Sequence, residues 1–213
     1  MECDIIMLKT RAVLPKNEGW LEVVLPTDVI EDIDNMIENA GESVRDRLAG
    51  NISNSQQLTS TESFEKFIQK VVDVYQQKFD YRPRPNAFPV DVPFVLKLND
   101  LWVNYQYQTE FNPSHTHAGV FSFVIWRKIP TDARQQLELP FAKNTTLPCV
   151  SCFQFEYMSI LGNRKSYNYA MSPQMEGMMV FFPAALNHLV YPFYGTDDVR
   201  ISVAGNLAWI PDK

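Results

Sequence analysis

The sequence predicts a mainly β fold, a double-sheet jelly roll (double-stranded β-helix) with buttressing N-terminal α-helices. Two observations carry this expectation. From Pro93 onward, short apolar-alternating runs recur between turn signals, which places strands near 94–98, 101–108, 119–127, 152–161, 165–171, 178–182, 188–193 and 199–208. Eight short strands with regular breaks suit two packed antiparallel sheets. Before Pro93 the apolar spacing is largely helical, and Arg82-Pro83-Arg84-Pro85 separates the two regions.

Taken in order, residues 5–14 and 20–25 alternate well enough for two opening strands. Thr27 then reads as an N-cap; Val29, Ile33, Met36, Ile37 and Ala40 follow at helical spacing, and Gly41 is the expected stop. The stretch 42–58 is polar and ambiguous. A second helix is expected from about Thr61 to Asp80, burying Phe64, Phe67, Ile68, Val71, Val72 and Tyr75. Turn signals between the later strands are Asn99-Asp100, Asn112-Pro113, Gly162-Asn163, Ser172-Pro173, Glu176-Gly177 and Gly195-Thr196. No internal repeat interrupts this order, so 1–213 reads as one domain, with N-terminal strands and helices over 1–90 and a jelly-roll core over 91–213.

Composition narrows the function classes. With 213 residues, 46% apolar and 13% aromatic, the chain can bury a sizeable core. A formal net charge of −6 offers no global attraction for phosphate backbones, which disfavours nucleic acid as a partner. Neither a signal peptide nor an apolar run of about 18 residues is evident, so no membrane partner is expected and the default location is cytoplasmic. Three cysteines suit a reducing compartment. Cys149-Val150-Ser151-Cys152 forms a Cys-x-x-Cys pair, but with only Cys3 remaining no four-thiolate zinc site can be assembled.

The chemistry lies in the histidines. The chain has three: His115 and His117 in Asn112-Pro113-Ser114-His115-Thr116-His117, and His188 after an apolar run ending in Phe181-Phe182-Pro183. Residues i and i+2 of an extended segment share a face, so His115 and His117 can grip one ion together, with His188 closing the third corner from across the barrel. Neutral imidazoles suit iron, zinc, copper and nickel alike, and three ligands leave positions open for catalysis. Twelve residues beyond His188 stand Arg200 and Ser202, a cation and a hydroxyl on alternate positions. Three imidazoles with an anion site are the minimum apparatus for a non-haem iron enzyme that uses an organic-acid cosubstrate. The competing role for Arg200 is a surface ion pair with Asp197 or Asp198.

The run 176–192, with its Gly177, its strand ending in Phe-Pro and His188, followed by Arg200-Ile201-Ser202 and Asn206, resembles the C-terminal half of iron(II)- and 2-oxoglutarate-dependent dioxygenases. It is similar in particular to an oxygenase group of phages and marine bacteria, compatible with a virus-encoded chain. Trp102-Val103-Asn104 and the His115 segment resemble that group's N-terminal half, so the likeness spans roughly 101–206. The resemblance implies Fe(II) held by His115, His117 and His188, with His117 in place of the carboxylate usual in the superfamily. It implies 2-oxoglutarate held by Arg200 and Ser202, with Tyr105 or Asn104 as a further contact, and ascorbate as an optional auxiliary. The implied reaction is hydroxylation of a protein side chain such as proline, or of a small molecule, with decarboxylation of 2-oxoglutarate to succinate. Two alternatives stay open: a cupin-like three-histidine dioxygenase that needs no 2-oxoglutarate, and a non-enzymatic jelly-roll structural or binding protein. Phe111, Phe121, Phe123, Trp126 and Tyr107 are candidates for an apolar mouth, and Arg82, Arg84, Arg127 and Lys128 for solvated charge or an acidic partner.

Overall fold

Two antiparallel sheets face each other in the computed structural model, which describes residues 11–13, 18–81, 94–146 and 149–212. The strand expected over 5–14 falls almost wholly outside those residues, as do Cys3, Arg82 and Arg84. The chain runs β1 (Leu21–Val24), α1 (Thr27–Glu38), β2 (Asn54–Gln57), α2 (Glu62–Phe79), β3 (Phe94–Gln106), β4 (Asn112–His115) and β5 (Phe121–Lys128). It continues with α3 (Ala133–Gln136), β6 (Cys152–Met158), β7 (Arg164–Ala170), β8 (Met178–Pro183), β9 (Asn187–Val190) and β10 (Arg200–Pro211). The larger sheet has the order β1-β8-β5-β10-β3-β2, and the smaller β4-β9-β6-β7.

Side-chain parity explains the layering. Along β5, Phe121, Phe123 and Ile125 join Met179 and Phe181 of β8 and Val203 of β10 in a core shared with both long helices. The alternate residues Val124 and Trp126 turn instead toward Phe153, Phe155 and Tyr169 of the smaller sheet, with Val180 and Phe182. Each fully buried Phe contributes about 1.5–3 kcal/mol, so both interfaces are strongly apolar. The helices buttress the large sheet, as expected. Gly205 sits opposite Phe123 in the β10–β5 ladder, and a Cβ there would lie 2.6 Å from the ring's Cζ. The absence of a side chain there lets the Phe123 ring approach the strand closely.

Five local expectations are corrected. Asn99-Asp100 is no turn: β3 continues through it, and a bulge opposite Asn206/Leu207 absorbs the extra residue. Asn112-Pro113 lies within β4 rather than in a turn, on an edge strand where a missing N–H is tolerated. Thr27 is the first residue of α1 and not its cap; Pro26 occupies the cap position with no side-chain bond, and the helix stops at Asn39, whose Nδ2 donates to the Asn35 carbonyl at 2.8 Å, two residues before Gly41. Phe67 is only partly buried. Thr61 does cap α2, accepting from the Phe64 N–H at 3.1 Å, an interaction worth roughly 1 kcal/mol.

Candidate active site

β4 and β9 pair so that His115 and His188 are direct cross-strand partners. His188 therefore reaches the cluster from the adjacent strand and not from across the barrel. His117 lies just beyond β4, where its N–H donates to the Ala184 carbonyl at 2.9 Å and keeps the segment against the end of β8. The three imidazoles converge, with candidate ligand atoms within 4.8 Å of one another.

Backbone carbonyls orient two of the rings. His115 Nδ1 lies 2.7 Å from the Pro113 carbonyl and His188 Nδ1 lies 2.9 Å from that of Leu186. A carbonyl only accepts, so each Nδ1 carries the proton and each Nε2 keeps its lone pair. The Nε2 atoms of His117 and His188 are 3.1 Å apart. Two nitrogens at about 2.1 Å from one ion, roughly a right angle apart, would be about 3 Å from each other. The donor set fits a divalent transition metal. Burial pushes His117 down to about 4 and His188 down to about 3, and lowers His115, so all three are neutral near pH 7. Phe153 and Phe182 box in the His188 ring, with centroids 5.7 and 4.9 Å away.

Arg200 opens β10 and is 1% exposed. It lines the same cavity as the histidines, together with Ser202 and Asn104. The competing surface pair does not form: Asp198 accepts from Lys128 at 2.5 Å and Asp197 from Gln108 at 3.1 Å, while Arg200 is buried. Its Nη1 donates to Gln106 Oε1 at 3.1 Å and its Nη2 to Ser151 Oγ at 2.9 Å, over the Phe193 ring at 4.7 Å. All of these partners are neutral, and Nε has none among the described residues. Burial lowers the guanidinium to about 9, still charged at neutral pH. A buried cation without an anion is costly, and a bound carboxylate would remove that cost.

Parity separates the two candidate contacts on β3. Asn104 faces the cavity beside Trp102 and Gln106, whereas Tyr105 packs into the helix-side core, so Tyr105 is withdrawn from the site. Ser55 of β2 donates to Asn104 Oδ1 at 2.7 Å, leaving the amide N–H groups for the cavity. Gln106 is fixed likewise: its Nε2 donates to the Glu110 carbonyl at 2.6 Å, which presents its oxygen to Arg200. Of the candidates for an apolar mouth, Phe123 and Trp126 line the cavity together with Phe153 and Phe182, whereas Phe121 belongs to the helix-side core and Tyr107 and Phe111 are exposed. Arg127 pairs with Asp34.

Sequence reading missed Gln106, Ser151, Ser55 and Phe193. Gln106 was within reach, being two residues past Asn104 on one face. Ser151 stood inside the Cys-x-x-Cys motif, where only the thiols drew notice; Cys152 is buried and pushed up to about 12, and both thiols are free.

A protein-family model described as "Putative 2OG-Fe(II) oxygenase" matches residues 100–206. The chain belongs to that family, the iron(II)- and 2-oxoglutarate-dependent oxygenases. No curated protein matches it. Among solved structures, OsALKBH1 is similar over 91% of this chain and 98% of its own, at 11% identity and a TM-score of 0.52, a likeness of fold. A 2OG-Fe(II) oxygenase family oxidoreductase from Burkholderia pseudomallei is similar over 89% and 85%, at 13% identity and a TM-score of 0.49. A Pseudomonas putida prolyl-4-hydroxylase is similar over 92% and 94%, at 12% identity and a TM-score of 0.46. Among the described residues, no helix is long and apolar enough to cross a membrane.

Proposed function

We propose that the chain hydroxylates a C–H bond of its substrate, holding Fe(II) on His115, His117 and His188 and 2-oxoglutarate on Arg200, Ser202 and Asn104. The overall reaction converts substrate, dioxygen and 2-oxoglutarate into the alcohol, succinate and carbon dioxide. One observation carries the residue assignment: a buried guanidinium with no carboxylate partner among the described residues shares its cavity with three neutral imidazoles.

When bound, iron supplies the oxygen-activating redox chemistry. The chain's own residues do the rest. The three Nε2 or Nδ1 lone pairs are available without proton loss, because burial already keeps the rings neutral. Arg200 presents its guanidinium to the distal carboxylate of the cosubstrate, and Ser202 hydrogen-bonds the same group. The Asn104 amide donates to a cosubstrate oxygen. Phe153 and Phe182 exclude water around His188. Three imidazoles leave the bound metal one charge more positive than two imidazoles and a carboxylate would, which favours a dianionic cosubstrate.

Anaerobic titration with Fe(II) and then 2-oxoglutarate tests this reading. Stoichiometric binding of both, with a weak visible charge-transfer band, is expected. Iron binding without cosubstrate binding would contradict it and leave a three-histidine metal dioxygenase. Binding of neither would leave a jelly roll that serves structure or recognition.

A further inference from the structure

A second cavity, of about 290 Å³, opens outward from the same histidines. It shares Trp102, His115 and His117 with the cavity that holds Arg200. Its walls are the segment bearing Arg47, Leu48 and Ala49 on one side and Asp100, Trp102 and Asn206 on the other. The Trp102 ring stands 5.9 Å from that of His117, making a flat apolar floor beside the candidate metal.

Arg47, Asp100 and Asn206 are among the polar groups that line this space, with Gln57 and Thr116. The Arg47 side chain is exposed and forms no hydrogen bond or ion pair among the described residues. The Arg47 N–H donates to the Val44 carbonyl at 3.0 Å, and Val44 is buried with Trp102 and Ala204. Asp100 accepts from the neighbouring Asn99 amide at 3.0 Å and forms no ion pair among the described residues. Asn206 accepts from Ser122 Oγ at 2.8 Å through its own oxygen, which leaves its N–H groups as donors. Asp46, adjacent to Arg47 in sequence, lines neither cavity.

A cation and a carboxylate bordering one small cavity, neither neutralising the other, call for a ligand that carries both charges. We infer that the substrate is a free α-amino acid, its carboxylate on Arg47 and the Asn206 amide, its ammonium on Asp100, and its side chain over Trp102 toward the histidines. This deepens the oxygenase reading and rests on it. An internal residue of a protein has neither charge to offer, and a polyanion would meet Asp100 and a chain of net charge −6.

The test uses the full chain, loaded anaerobically with Fe(II) and 2-oxoglutarate, and isothermal titration with each proteinogenic L-amino acid and with its N-acetyl and carboxamide derivatives. At least one free amino acid should bind, with each blocked derivative about tenfold weaker or worse. Arg47→Gln should erase the preference over the carboxamide, and Asp100→Asn the preference over the N-acetyl form. The inference is overturned if no free amino acid binds, or if blocked forms bind equally to the unmutated chain, a comparison that needs no variant to fold. Should the same sample bind iron and 2-oxoglutarate but no amino acid, the inference fails alone. Should it bind neither, the oxygenase reading fails with it.

Discussion

The two ends of the candidate active site are built differently. At the histidine end, residue type does the work: three imidazoles from two paired strands and the segment beyond β4 bring their nitrogens together, and burial keeps them neutral. At the Arg200 end, one charge on the larger sheet is held by neutral acceptors from Gln106 and Ser151, 94 and 49 residues away in sequence. A candidate metal site of this kind can be read from the identity of its residues. Arg200 and Ser202 were legible in the same way, but the neutral acceptors that hold the guanidinium had to be read from the fold.

That contrast can be broken at either end. The largest effect is expected for His188→Ala, which removes a proposed ligand that is 4% exposed: iron affinity should fall on the order of 100-fold or more, read by metal content after dialysis. Retained iron at wild-type stoichiometry would remove His188 from the ligand set. Arg200→Ala should weaken 2-oxoglutarate by about 2–4 kcal/mol while iron binding stays nearly intact. Loss of both together would mean that the two ends are one structural unit and not two sites.

Proton linkage sharpens the histidine side. His117 and His188 fall from the ordinary 6.5 to about 4 and about 3 in the fold. As pH drops below 6.5 the unfolded chain takes up protons first, so stability of the metal-free protein declines, with the full loss reached only below about 3. Urea midpoints at pH 7 and pH 5 should therefore differ more for the wild type than for His117→Gln. Equal differences would show that His117 is not held neutral. The smallest effect is expected for Ser55→Ala, which frees the Asn104 amide to flip: the 2-oxoglutarate KM should rise a few-fold, about 1 kcal/mol, with little change in iron affinity.

Much of the fold was legible because period-2 alternation survives in β5, β8 and β10, and because α2 carries an uninterrupted apolar stripe. β2 was not, since Asn54-Ser55-Gln56-Gln57 is wholly polar: it is an edge strand, and its buried Ser55 is spent on Asn104. β4 was hidden by Asn112-Pro113, which in isolation signals a turn. Asn99-Asp100 misled for the same reason, because a bulge and a turn draw on the same residues. The histidines, Arg200, Ser202 and Asn104 were picked out by type and spacing and share one cavity. Tyr105 was lost to parity, since adjacent strand residues cannot both face the same side.

A crystal structure of the chain with Fe(II) and 2-oxoglutarate, grown without oxygen, tests the central claim most directly. The account predicts one ion bonded to nitrogens of His115, His117 and His188, and a ketoacid whose far carboxylate meets the Arg200 guanidinium. An ion bound without one of those rings, or a ketoacid lying away from Arg200, would contradict it.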